Sequence, residues 1–333
     1  MLSSYGLTNG HGIHIFFQRH KQEPTDRQSY PMFEVATNPN VSIPSGILLQ
    51  DVQLGLCGLF SEIYRWGQKR RFQNAGVHPD YCRNQELEAQ LETWKVQLHG
   101  ICNVWKDPIA NENAIKYMMH AYRGKEEPGE EGWEEKVSAR ISRTFFNVSM
   151  LHSLLRLYLY ADLRSIYLFS MGSLDLGQTM TPAVPDPENT NRLQHWAMSW
   201  KGRRAVIFSL YILKSYENAP FTLPEQTVDP TAHMAVATAA LVLRCWIVNS
   251  TDHCECGILP GQPSSALNLE LEADKEQWAI EGGVVVLEGT PMCLCALSVW
   301  MARFVTAIST RGRDWEMGKA VLNVLNQKPN MAS

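Results

Sequence analysis

Charge is scarce in this 333-residue chain, and its balance is wrong for a polyanion partner. Asp, Glu, Lys and Arg make up 19% of residues, the formal net charge is −4 and the pI is about 6.2. Affinity for duplex DNA rests on neutralising phosphates with Lys and Arg, so a chain of this balance is not expected to grip DNA alone. Long apolar runs are also missing. The best candidate span, Ala232–Val248, is interrupted by Arg244 and is short for a bilayer, so no membrane association is expected. The first residues, MLSSYGLTNGHGIHIFFQRHK, lack a basic patch followed by an apolar run and do not read as a signal peptide. The sequons at Asn40, Asn147 and Asn249 then read as chance matches. Eight cysteines are too sparse for a disulfide-dense scaffold and suit a soluble intracellular protein with reduced thiols.

Catalytic signatures are absent too. There is no G-x-G-x-x-G or Walker loop to cradle phosphate, no H-E-x-x-H and no G-x-S-x-G elbow. No D-D-x-x-D cluster marks a helical diphosphate enzyme; Asp162 and Glu62 stand alone in apolar stretches. No fixed-period repeat is visible. The one metal candidate is His253, Cys254 and Cys256 with Cys293 and Cys295 downstream. The C-x-C spacing differs from the C-x2-4-C knuckle of structural zinc sites, and Cys293 and Cys295 sit in an apolar run. They read as buried structural thiols, and no metal or other cofactor is expected. No Cys2His2 finger pattern occurs anywhere.

What is present is helical periodicity. Hydrophobic residues reach 45%, enough for a large core. Residues 1–45 are polar and mostly irregular, with one short element at Ile13–Phe17; residues 46–328 form the folded region and 329–333 a tail. Leu48–Arg71 is periodic and ends in Lys69-Arg70-Arg71, read as a solvated helix end more than as a nuclear-import signal. Leu91, Trp94, Leu98, Ile101 and Trp105 recur at offsets of three and four. Glu134–Met171 holds one long helix or two abutting ones, and proline-bearing Met180–Asn191 is a linker. Asp186-Pro187, Asp229-Pro230 and Thr290-Pro291 each place cap chemistry before an apolar run. Gly283–Leu287 could be a strand but has no evident partner. The expectation is an all-α protein, a compact multi-helix array of about ten helices.

The densest signal is Arg192–Glu217, RLQHWAMSWKGRRAVIFSLYILKSYE. Leu193, Trp196, Trp200, Ile207 and Leu210 fall on one face of a single helix. Arg203 and Arg204 interrupt an apolar surface, and a buried guanidinium requires a partner. Either one of them makes an internal ion pair, the favoured reading, or both line a contact surface. The tryptophans, including Trp94, Trp105, Trp246 and Trp300, read as core.

This stretch resembles the core of the fungal-specific transcription factor domain, the middle-homology regulatory region of Cys2His2-type zinc-finger regulators. Leu91–Ile101 (LETWKVQLHGI), Leu151–Gly172, Ala232–Val248 with Trp246, and Pro291–Leu325 with Trp300 and Trp315-Glu316 resemble further segments in the family's order. The resemblance spans residues 48–327 and implies a nuclear regulator of transcription, with Trp196, Arg203 and Arg204 as family-motif residues of possible interaction use. DNA binding and zinc belong to the family's fingers, which this sequence does not hold. The implied partners are the transcription machinery or a related regulator. A helical enzyme with a buried apolar pocket and a degenerate, non-functional relative are the alternative readings.

A gel-shift titration at moderate salt checks the charge argument: the isolated chain is expected to produce no sequence-selective retardation of duplex DNA.

Overall fold

Eleven α-helices account for nearly all the regular structure in the computed structural model, which describes residues 47–72, 81–171, 187–219, 229–250, 267–268, 271–283, 285–311 and 315–327. The protein is all-α. The expected N-terminal segment with its Ile13–Phe17 element and the 329–333 tail lie outside the described residues. Within the expected folded region, contacts gather into two compact units, divided between Leu155 and Arg156.

The first unit contains α1 (Leu49–Phe72), α2 (Tyr81–Lys106), α3 (Glu112–Ala121) and most of α4 (Trp133–Tyr160). The three-and-four spacing of Leu87, Leu91, Trp94 and Leu98 buries one face of α2 against α1. Burying each such side chain stabilises by about 2 kcal/mol. Gly55 is what lets α1 accept Trp94: a Cβ there would lie 2.2 Å from the indole ring. The Tyr122 hydroxyl accepts the Leu49 N–H at 2.8 Å, tying the end of α3 to the start of α1. Arg140 on α4 donates to the Tyr122 carbonyl at 2.5 Å and to Glu126 at 2.6 Å. Those charge-assisted bonds hold the Glu126 carboxyl down at about 2.

The second unit is built on α8 (Pro230–Ser250), which touches α5 (Leu163–Met171), α6 (Pro187–Met198), α7 (Trp200–Glu217), α10 (Leu297–Arg311) and α11 (Glu316–Asn326). Thirteen of its 21 residues are buried, among them five alanines that let neighbouring helices approach closely. By length and composition α8 could cross a membrane, but 78% of its most apolar window is covered by the rest of the unit. Its start follows the expected cap chemistry: Pro230 opens the helix and the Asp229 carboxylate accepts the Thr231 N–H at 2.7 Å. Arg244, 2% exposed, extends from it to the Gln327 carbonyl at the end of α11.

Three local expectations are corrected. Gly283–Leu287 does have strand partners. β2 (Val285–Leu287) pairs in parallel with β1 (Leu267–Asn268) and antiparallel with β3 (Thr290–Pro291). Thr290-Pro291 is therefore not a helix start; it is the return strand after a two-residue turn, Glu288-Gly289, both at positive φ. A proline fits a short strand of this kind as well as it fits a first helical turn. The proposed linker Met180–Asn191 is helical from Pro187 onward. Between α4 and α5, Asp162 accepts from the Ser165 N–H and hydroxyl, a local cap that divides the long apolar stretch into two helices.

His233, on α8, shares a 2.7 Å hydrogen bond with the Tyr216 hydroxyl and stacks on Trp315. Burial presses its pKa below the usual histidine range, with the Asp229 charge opposing in part. The unfolded chain then binds this proton more readily than the folded one. Its contribution to stability is complete above the ordinary histidine value, about 6.5, and is lost as pH falls through the lower folded value. Thermal melts from pH 7.5 to 5 are expected to show Tm declining, with a shallower decline in His233→Gln.

Candidate functional site

The Trp196–Arg204 segment is a corner between two helices. α6 ends at Met198, Ser199 is extended at φ −81° and ψ 160°, and α7 begins at Trp200. The single helix expected over Arg192–Glu217 is thus two. Ser199 breaks it by capping: its Oγ accepts the Gly202 N–H at 3.2 Å and donates to the Trp196 carbonyl at 2.7 Å. Gly202 allows the corner to close, because a Cβ there would sit 2.3 Å from the Trp196 carbonyl oxygen, a backbone atom that cannot swing away. Apolar periodicity runs through the break and hides it from a pattern reading.

Trp196 is half-buried and donates its indole N–H to the Tyr160 carbonyl at 2.9 Å, at the end of α4. Trp200 differs from the core reading: it is 39% exposed, edge-on to Tyr160 at 5.9 Å, with the Lys201 ammonium 5.7 Å from its ring centre. Trp246 comes up from α8 and donates to the Ala197 carbonyl at 2.8 Å.

Both arginines are held by α9 (Glu272–Glu281), an element the sequence reading did not single out. Arg203 donates from Nε to the Ala279 carbonyl at 3.0 Å and from Nη2 to the Ile280 carbonyl at 2.9 Å. Its Nη1 donates to the Met198 carbonyl at 2.6 Å. One guanidinium therefore caps the C-terminal ends of two helices, where unpaired carbonyls and the helix dipoles carry negative charge. Desolvation lowers its pKa from the usual arginine range, yet it stays charged, as arginine does in proteins. Arg204 makes a two-pronged ion pair with Glu276, at 3.1 and 2.5 Å. Lys275 reinforces the same pair of helices, donating to the Tyr211 hydroxyl at 3.0 Å. Neither arginine is left over to face a partner by charge alone. The Gly282-Gly283 pair after α9, both at positive φ, was the available sign of a helix end in need of a cap.

The side chains around this junction are the exposed part. Met198 is 66% and Ile280 71% exposed, and the carbonyls of both bind the same guanidinium. Two apolar side chains thus leave adjoining helix ends into solvent, with Trp200 one helical start away.

No group of three or more His, Cys, Asp and Glu side chains is placed to hold a metal among the described residues, and His253, Cys254 and Cys256 lie outside them. Cys293 is buried and Cys295 exposed, so the two point apart. Burial pushes the Cys245 thiol up to about 12, keeping it a protonated apolar side chain. Comparison with protein-family models, with curated proteins and with solved structures returned no match.

Melting experiments separate the two arginines. Arg203→Ala is expected to cost about 2 kcal/mol, since three helix-end carbonyls lose a charged donor. Arg204→Ala is expected to cost less than about 1 kcal/mol, because its partner Glu276 is half-exposed. Gly202→Ala should destabilise by about 2 kcal/mol or more through overpacking.

Proposed function

We propose that this chain is the helical regulatory and interaction region of a transcription regulator of the fungal zinc-finger type, acting in the nucleus through protein contacts. On this reading it does no catalysis and reaches promoters only through the proteins it binds, either the transcription machinery or a related regulator. The resemblance in motif order over residues 48–327 supports the reading.

The observation that carries it furthest is the corner itself. Three capping bonds from Arg203 and the Gly202 contact make the junction stiff. Met198 and Ile280 are nevertheless left in solvent at its surface. Exposed apolar side chains on a rigid frame are what a protein contact uses: they gain burial on binding and lose little freedom. Positive charge adds to the patch through Lys201, which stands over the Trp200 ring.

A tethering assay tests the reading. The chain, fused to an unrelated DNA-binding domain upstream of a reporter, is expected to raise or lower reporter output by at least about threefold. Met198→Asp with Ile280→Asp is expected to abolish that change while leaving the melting temperature within about 2 °C, since both side chains are exposed and touch no core. A fused chain that leaves the reporter unmoved at normal expression sinks the proposal. A double variant that acts like the wild type removes the corner from it.

A further inference from the structure

The first unit contains a cleft that the reading above does not use. It opens between the end of α2, α3 and the first turns of α4 and has a volume of about 750 Å³, which falls within the roughly 300–1,000 Å³ of small-molecule sites. Trp105, Ile115, Met119 and Trp133 supply apolar and aromatic walls, and Arg123 lines it just past the end of α3.

The indole N–H groups fall into two sets, and Trp94, Trp200 and Trp315 share with two cleft residues the lack of an internal acceptor among the described residues. Trp66, Trp196, Trp246, Trp278 and Trp300 each donate the indole N–H to an acceptor within the protein. The half-buried Trp105 and Trp133 have no such acceptor among the described residues. The guanidinium of Arg123, also half-buried, has no carboxylate or carbonyl partner among them either. Lys116, by contrast, is occupied by Glu112 at 2.5 Å. These three groups can only donate. Glu134 also lines the cleft, but it is exposed, and its field is screened by water more than that of Arg123.

Apolar walls with two indoles and a surplus of donors fit a flat, apolar molecule that brings acceptor oxygens. A carboxylate is the best match for a guanidinium, accepting two parallel N–H bonds. We propose that the α2–α3–α4 cleft is a binding site for a small aromatic carboxylate. Its apolar body lies against Trp105, Trp133 and Met119, and its carboxylate lies on Arg123. The site does not depend on the regulatory reading, whose corner is in the other unit.

The test uses the full chain with 2-naphthoate and its uncharged analogue 2-naphthamide. Saturable quenching of tryptophan fluorescence by 2-naphthoate is expected, with Kd below about 1 mM. The amide is expected to bind at least about fivefold more weakly, because it lacks the charge-assisted pair. Arg123→Gln should erase the preference for the acid without shifting the melting temperature, since Arg123 makes no bond that folding relies on. Ile115→Trp, which fills the cleft, should abolish binding, and circular dichroism would verify that this variant is folded. Three results overturn the proposal: no saturation by 2-naphthoate up to about 10 mM, equal affinity for acid and amide, or binding that survives in folded Ile115→Trp.

Discussion

An α-helix ends with carbonyls that have no partner in the helix, and wherever packing removes water from such an end, something else must donate to them. This chain packs many helix ends into its interior, and it solves the problem with long-range side-chain donors. Arg203 serves the ends of α6 and α9 together. Trp196 serves α4, Trp246 serves α6, Arg244 serves α11 and, in the first unit, Arg140 serves α3. Apolar burial supplies most of the stabilisation but has no direction. Hydrogen bonds to helix ends have direction, and they decide which end meets which neighbour.

The same accounting separates structural groups from available ones. At the Trp196–Arg204 corner both guanidiniums are engaged, and the apolar side chains of Met198 and Ile280 stand out into solvent, with Lys201 over the Trp200 ring. In the α2–α3–α4 cleft the position is reversed. The walls are apolar, while Trp105, Trp133 and Arg123 retain donors with no acceptor among the described residues. A surface of the first kind suits another protein, which covers area. A cleft of the second kind suits a small ligand, which brings the missing acceptors.

Helix content was legible because its cause is local. Apolar residues three and four apart put Leu87, Leu91, Trp94 and Leu98 on one face whatever they meet, and Asp229-Pro230 caps α8 with atoms two residues away. Local chemistry can also be ambiguous. Thr290-Pro291 satisfies a helix start and a short strand equally, and only its pairing with Val286 and Leu287 decided between them. The division at Ser199 was hidden for a related reason: the apolar stripe continues across it, while the break comes from the Ser199 cap and from the close approach to the end of α6 that Gly202 permits.

By itself, the sequence determined that this protein is helical, that its core is large, and that Trp196, Arg203 and Arg204 belong to one unusual segment. Those follow from composition and short-range spacing. Tertiary structure decided what the arginines do. Their partners on α9 lie 72 to 77 residues along the chain, and two of Arg203's acceptors there are backbone carbonyls, which every residue carries and no sequence pattern marks. The cleft was invisible for the same reason. Trp105 belongs to a helical stripe and Arg123 and Trp133 to no motif, and what unites the three is that they line one cleft, a property of three-dimensional neighbours and not of residue type.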